Sequence, residues 1–301
     1  MIAAALARSD AFVELSVFAD GKRIGHAAGR LGGRDAAEVV AEKIAQILRT
    51  AQLPDNPPDR TVEGDFAALL LALDADKARA PFLVLEFGTS AALALVRPGT
   101  GPILTLKVAG PLVFEGEGVR QGRAPFRGTI DRVVFSGGAL CAHVVGDHDD
   151  VFVTAAGNNR NRARGICGPG LVTAAAALRA AGLVDAAGKI QKEIGLRDGI
   201  GLTPEDMDAL AASVASVRAA VDKLLSAADV PTEGLETFVT GLGESSAAVL
   251  AAGTSLGLWP TGLKVSATGN LRLRGAERLV QKEDAAVRHD VIGARLREVA
   301  R

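Results

Sequence analysis

The chain has 301 residues and a formal net charge of -1; 48% of residues are hydrophobic, 23% are charged, and Tyr is absent. Lysine and arginine are dispersed along the chain, which excludes the electrostatic footprint of a nucleic-acid or anionic-membrane partner. No apolar run reaches the roughly 18 residues of a membrane span, the first ten residues lack a secretory pattern, and two cysteines, Cys141 and Cys167, exclude a disulfide framework or a four-thiolate iron-sulfur or zinc site; a cytoplasmic protein is expected.

Residues 12–18 alternate weakly and are followed by Asp20-Gly21 and a second extended run at 23–28, which predicts a hairpin with a two-residue turn. Over 36–51, Val40, Ile44, Ile47 and Leu48 fall on one helical face. Residues 52–64, with Pro54, Pro57 and Pro58, read as a linker, because proline continues neither helix nor ladder. A small N-terminal α+β piece, residues 1–80, is therefore set apart from residues 81–301.

The segment FLVLEFGTSAALALV, 82–96, predicts a buried strand, a glycine turn and a second strand. Further strands are expected at 104–114, 129–135, 140–145 and 151–154, and helices at 170–181, 204–227, 245–252 and 273–281. Strands at 237–240 and 264–268 return between helices. Strands gathered first and helices later give an α/β lobe with a mixed sheet.

Several loops have the composition of an anion or nucleotide site. In LEFGTS, Glu86 ends a strand and Gly88, Thr89 and Ser90 form the turn, offering consecutive N–H groups and hydroxyls to a phosphate. A preceding acid suits magnesium held through water; an ordinary hairpin turn explains the same residues. AGPLVFEGEG sets Gly110 and then Glu115 beside glycines, with a carboxylate facing either a cleft or solvent. ICGPG puts Gly168 and Gly170 at a helix start, where backbone N–H groups are unpaired, or simply punctuates that start. TGLGES places Gly241, Gly243 and Glu244 between a strand and a helix, where glycines admit a planar ligand or serve packing alone, and TGNLRLRGA places Gly269 and Asn270 before the last long helix, where Asn270 also suits a cap. Arg160, Arg162 and Arg164 form a basic loop ahead of ICGPG, a receiver of phosphate or of an acidic partner, or a solvated loop. The four histidines are scattered and predict no metal site.

With these motifs in order, residues 82–280 resemble the C-terminal ATPase domain of the reductive activators of corrinoid proteins, part of the actin, sugar-kinase and heat-shock-chaperone ATPase superfamily. LEFGTS, AGPLVFEGEGV, GRAPFRGTIDRV, ICGPGLVTAAAALRAAGLVD, LTPEDM, TGLG, and GN with GA beyond carry the likeness. It implies an actin-like, ribonuclease-H-like lobe with a mixed sheet flanked by helices. It also implies ATP and Mg in a cleft, with Glu86 and Glu115 as catalytic acids and Gly88, Thr89, Ser90, Gly110, Gly168, Gly170, Gly241, Gly243, Glu244, Gly269 and Asn270 around the nucleotide. In that family ATP permits electron transfer to an inactive corrinoid protein, and an iron-sulfur domain supplies the electron. With two cysteines this chain is expected to hold no iron-sulfur cluster and to depend on a separate redox protein.

The sequence departs from the pattern where charge is needed. Glu86 stands where the second phosphate loop usually has Asp, and Ser90, Ala91 and Ala92 replace a polar Asn-Gly-Glu continuation. Val214, Ala211, Pro169 and Thr173 replace Lys, Gln, Ser and Asp. The expectation is an activator or repair factor for a corrinoid protein or B12-dependent methyltransferase in which nucleotide hydrolysis is weak or lost. A Mg-ATP-dependent small phosphotransferase and a non-catalytic scaffold are the alternatives, and a homodimer is left open.

Overall fold

The computed structural model describes residues 1–8, 12–31, 34–54, 57–88, 90–110, 112–157, 161–185, 187–242, 247–282 and 284–299. The chain folds as two compact units. The first is built from Met1–Pro81, Val96–Ile103 and Asn270–Arg297, and the second from Phe82–Leu95, Leu104–Gly269 and Glu298–Arg301.

The first unit begins with β1 (Ile2–Arg8), β2 (Phe12–Ala19) and β3 (Lys22–Arg30), followed by α1 (Ala36–Thr50), β4 (Arg60–Glu63) and α2 (Phe66–Ala72). Its sheet runs β3-β2-β1-β4. The expected hairpin joins β2 to β3, and both turn residues have positive φ, Asp20 at 49° and Gly21 at 76°, as a tight two-residue turn requires. α1 starts at Asp35, whose carboxylate accepts the Ala37 N–H at 2.6 Å. It buries Val39, Ile44, Ile47 and Leu48, with Val40 only half-buried. Gly25 and Gly29 of β3 let it sit close, since a Cβ at Gly25 would fall 2.4 Å from Ile47 Cγ2.

Two expectations change here. β1, unpredicted, is a central strand, antiparallel to β2 and parallel to β4. Residues 60–63 of the supposed linker form β4, a short edge strand with little burial to mark it in sequence.

The second unit holds β5 (Phe82–Phe87), β6 (Ala91–Val96), β7 (Ile103–Val108), β8 (Thr129–Ser136), β9 (Ala139–Val144), β10 (Val153–Thr154) and β11 (Gly165–Ile166). Then come α3 (Gly168–Ala180), β12 (Ile194–Arg197), β13 (Ile200–Leu202), α4 (Pro204–Ala228), β14 (Glu236–Thr240), α5 (Ala247–Leu256) and β15 (Lys264–Ala267). α6 (Leu271–Gln281) and α7 (Ala285–Arg295) return to the first unit, and β16 (Leu296–Glu298) is the last element among the described residues.

The main sheet runs β15-β14-β5-β6-β7-β16, with β14 parallel to both β15 and β5 and with β6 antiparallel to β7. A second sheet runs β10-β9-β8-β11. The mixed sheets flanked by helices are the α/β architecture expected. β5 is apolar nearly throughout, as a strand covered on both faces must be. β7 stops at Val108 and does not reach 114, because Val113–Glu115 is a single 3-10 turn closed by Gly116 at φ 86°.

α3 is buried on almost every side, so its sequence of alanines and glycines has no polar face. Its Thr173 hydroxyl accepts the Val133 N–H of β8 at 3.0 Å. α4 opens on a capping box: Thr203 Oγ1 accepts the Asp206 N–H at 3.1 Å and Asp206 accepts the Thr203 N–H at 2.9 Å.

In the first unit, α6 and α7 are fixed to α2. A Cβ at Gly275 would lie 1.9 Å from the Ala68 carbonyl oxygen, so the two helices meet at backbone distance. Arg288 donates to Asp74 and Asp76, Arg278 to Asp74 and the Leu71 carbonyl, and His289 Nε2 lies 2.8 Å from Asp65, the cap of α2. No helix among the described residues is long and apolar enough to cross a membrane.

Candidate functional site

The glycine loops of the second unit are linked to one another through backbone contacts. β5 and β14 run in parallel with Glu86 opposite Thr240, so both strands deliver their loops at their carboxyl ends. That is where ligands gather on open α/β sheets. Gly241, at φ 85°, packs on the β5 end: a Cβ there would lie 1.9 Å from the Phe87 carbonyl oxygen. The Thr240 hydroxyl donates to the Gly269 carbonyl, tying the loop after β15 to the same place.

Gly88, just after β5, faces the 3-10 turn that carries Glu115. The Cβ position of Gly88 is 3.4 Å from Glu115 Oε1, and the Phe87 and Phe114 rings beside them meet edge to face with centroids 4.8 Å apart. Glu115 is 9% exposed, so its carboxylate is an interior group and not a solvated turn residue. Gly168 completes the chain of contacts, since a Cβ there would fall 1.8 Å from the Phe114 carbonyl oxygen.

Gly88, Glu115, Gly168, Gly241 and Gly269 are thus brought together, with Glu86 and Ser90 flanking Gly88 in sequence. Gly170 is turned the other way, against the Ile130 carbonyl at 2.2 Å from its Cβ position. Gly110 is exposed after β7 and joins none of these contacts among the described residues. Asn270 belongs to the first unit, where Oδ1 accepts the Leu273 N–H at 3.0 Å and Nδ2 donates to Glu14 at 2.7 Å. Thr89, Gly243 and Glu244 lie outside the described residues.

The space freed by missing side chains is used differently along this set. At Gly168 and Gly241 it is filled by another backbone segment, so glycine is needed for the fold itself. At Gly269, φ 65°, nothing lies within 4 Å. Thr240 and Phe114, which connect the loops, carried no signal of their own in sequence. Among the described residues no group of three His, Cys, Asp or Glu could hold a metal ion by itself. A magnesium ion in such a place would be held mainly by water and phosphate oxygens with one or two carboxylates, for which Glu86 and Glu115 are the candidates.

Cys167, in the ICGPG motif, is fully buried; its thiol donates to the Ile130 carbonyl at 3.3 Å, and burial pushes its pKa up to about 12. It is an inert core thiol. Iodoacetamide on the native protein is expected to label Cys141, which is half-buried, and to leave Cys167 untouched until denaturant is added. Peptide mass mapping reads the result, and native labelling of Cys167 would overturn the burial argument.

A sequence model of the family described as the C-terminal domain of RACo, the ASKHA domain, matches residues 80–300. Among solved structures, a reductive activator for corrinoid, iron-sulfur protein superposes with a TM-score of 0.75 at 18% identity, covering 99% of this chain and 63% of that one. The chain therefore spans less than two thirds of that protein, and the likeness establishes the actin-like fold. The activator of the 2-hydroxyisocaproyl-CoA dehydratase from Clostridium difficile, with bound ADPNP, covers 100% of both chains at 10% identity, with a TM-score of 0.43 that is too low to argue from. No curated protein matches the sequence.

Proposed function

Because the chain belongs to the family of the RACo C-terminal ASKHA domain, we propose that it activates or repairs a corrinoid protein or B12-dependent methyltransferase, working with a separate redox protein. ATP with Mg is the proposed ligand of the loop cluster, and its hydrolysis is weak or lost. Part of the same proposal is that residues 1–80 are a reduced N-terminal segment before the corrinoid-activator-like domain.

The observation that carries this reading is the convergence of Gly88, Glu115, Gly168, Gly241 and Gly269 within one unit. Weak hydrolysis is supported by what has become of the neighbouring positions. Ala91 and Ala92 are strand residues paired with Val108 and Lys107, Val214 packs against the core, and the Thr173 hydroxyl is spent on β8. Phosphoryl transfer is catalysed mainly by charge placed around the phosphates and metal, and these residues supply none. Bound Mg would polarise the phosphate oxygens; Glu86 and Glu115 would orient its water shell, and the backbone at Gly88 and Gly269 would receive the phosphate chain.

Titration calorimetry with Mg and a non-hydrolysable ATP analogue, alongside a turnover assay and co-purification with a corrinoid protein, tests the proposal. Binding is expected with turnover far below the roughly 1–100 per second of kinases. Glu115→Gln and Glu86→Ala are each expected to weaken nucleotide binding about tenfold, a loss of one charge-assisted contact. Kinase-like turnover without a corrinoid partner would favour the phosphotransferase, and an affinity unchanged in both variants would remove the carboxylates from the site.

A further inference from the structure

Two segments of the second unit, VRQGRAPFRGTI at 119–130 and AAGNNRNRARGI at 155–166, hold six arginines and no Asp or Glu. The fold lays their described residues side by side; Arg160 lies outside the described residues. The Arg164 N–H donates to the Gly128 carbonyl at 2.7 Å, the Arg123 N–H to Ile166 at 2.8 Å, and the Ile166 N–H to Gln121 at 3.0 Å. Arg123, Arg127, Arg162 and Arg164 are all exposed. Among the described residues none of these four pairs with a carboxylate, whereas Arg120 pairs with Glu193 and Arg132 with Asp149.

The arrangement is also held in place from below. Three of the arginine stems lie over glycines: the Cβ positions of Gly165, Gly146 and Gly128 are 2.6, 2.9 and 3.3 Å from carbons of Arg123, Arg127 and Arg164. The loop beneath is fixed by buried Arg197, which donates to the Asn161 carbonyl at 2.7 Å, and by Asp198, which accepts the Ala163 N–H at 2.8 Å. Asn161 in turn accepts from Arg127 at 3.2 Å. Four exposed guanidinium groups without carboxylate partners on a braced backbone are open to an anion, and arginine pairs with carboxylates through two parallel hydrogen bonds.

We propose that this arginine face docks an acidic surface of a partner protein. A nucleic acid is the less favoured polyanion: the chain carries a net charge of -1, and the one aromatic ring in the two segments, Phe126, is half-buried and so offers no open platform for bases. The docking surface needs only an acidic protein and stands whether or not the corrinoid reading does.

Fluorescence anisotropy with a labelled oligoglutamate peptide and, in parallel, a single-stranded RNA of equal charge tests it on the full chain. The peptide is expected to bind, to weaken as salt rises, and to lose about tenfold in affinity in each of R162E/R164E and R123E/R127E, the summed effect of two exposed pairs. R218E, an exposed charge reversal on α4, is expected to bind as the parent does, and R162Q/R164Q, the milder change, to lose affinity in the same direction with an unaltered circular dichroism spectrum. No peptide binding at low salt, an equal loss in R218E, or tighter binding of RNA than of peptide would each overturn the proposal.

Discussion

Arg197→Met is expected to cost about 3–5 kcal/mol of unfolding free energy, read as a lower urea midpoint, because it removes one partner of a buried ion pair and leaves the other charge behind. Arg197 is 1% exposed, and it donates to Asp147 at 3.0 Å and to the carbonyls of Ala142 and Asn161. The Asp147 side chain is 2% exposed. Burial works against the Asp147 carboxylate, but hydrogen bonds from Asn161 and Arg197 outweigh it and hold the pKa below the ordinary aspartate value. A depressed carboxyl pKa contributes stability above the ordinary value of about 3.9 and loses it as pH falls through the folded one.

Without Arg197 two of the influences that oppose burial, its hydrogen bond and its charge, are lost and the Asp147 pKa rises, so the deficit of the variant should grow as pH increases and the carboxyl ionises. Urea titrations at several pH values decide the matter; a deficit independent of pH would mean that lost packing, not an unpaired buried charge, accounts for the change.

Gly241→Ala is expected to cost about 2–5 kcal/mol and to abolish the proposed nucleotide binding. Two penalties add: a left-handed backbone at φ 85°, about 1–2 kcal/mol, and a methyl group directed at the Phe87 carbonyl oxygen 1.9 Å away, about 1–3 kcal/mol. The contact is with backbone, so no side chain can rotate aside. Gly269→Ala is the internal comparison, since it has a similar φ of 65° and open space around it, and should lose only the conformational part. Thermal melts of the two variants measure the difference. Equal losses would show that the close approach of the β14 and β5 loops contributes nothing.

The parts of this fold that were legible in sequence are those where local chemistry and burial agree. Asp20-Gly21 marks a hairpin whatever surrounds it, and LEFGTS between two apolar runs marks strand, turn and strand. The helix expected at 204–227 likewise starts where α4 does, and the structure shows a capping box between Thr203 and Asp206 there. β1 was hidden because IAAALAR is rich in alanine, a poor strand former, and only its central place in the sheet makes it extended. The β12–β13 hairpin turns on Asp198-Gly199, a dipeptide of the same kind as Asp20-Gly21, and both residues have positive φ. At the candidate site the glycines were visible but their two uses were not. Nothing in ICGPG tells a glycine that admits a ligand from one that admits the backbone of Phe114, because that distinction depends on a segment some fifty residues away.

The first unit takes its sheet and α2 from residues 1–81 and its closing helices from residues 270–297. During synthesis, its first half emerges long before the second, and α2 waits for α6, whose Gly275 meets Ala68 and whose Arg278 donates to the Leu71 carbonyl in the finished protein. Domains usually fold as they leave the ribosome, and uncovered apolar surface is the part most prone to aggregate. For this polypeptide five strands of the second unit's main sheet are made before its edge strand β16, whereas the first unit lacks two whole helices until the end, so aggregation during synthesis is expected to start from the amino-terminal portion.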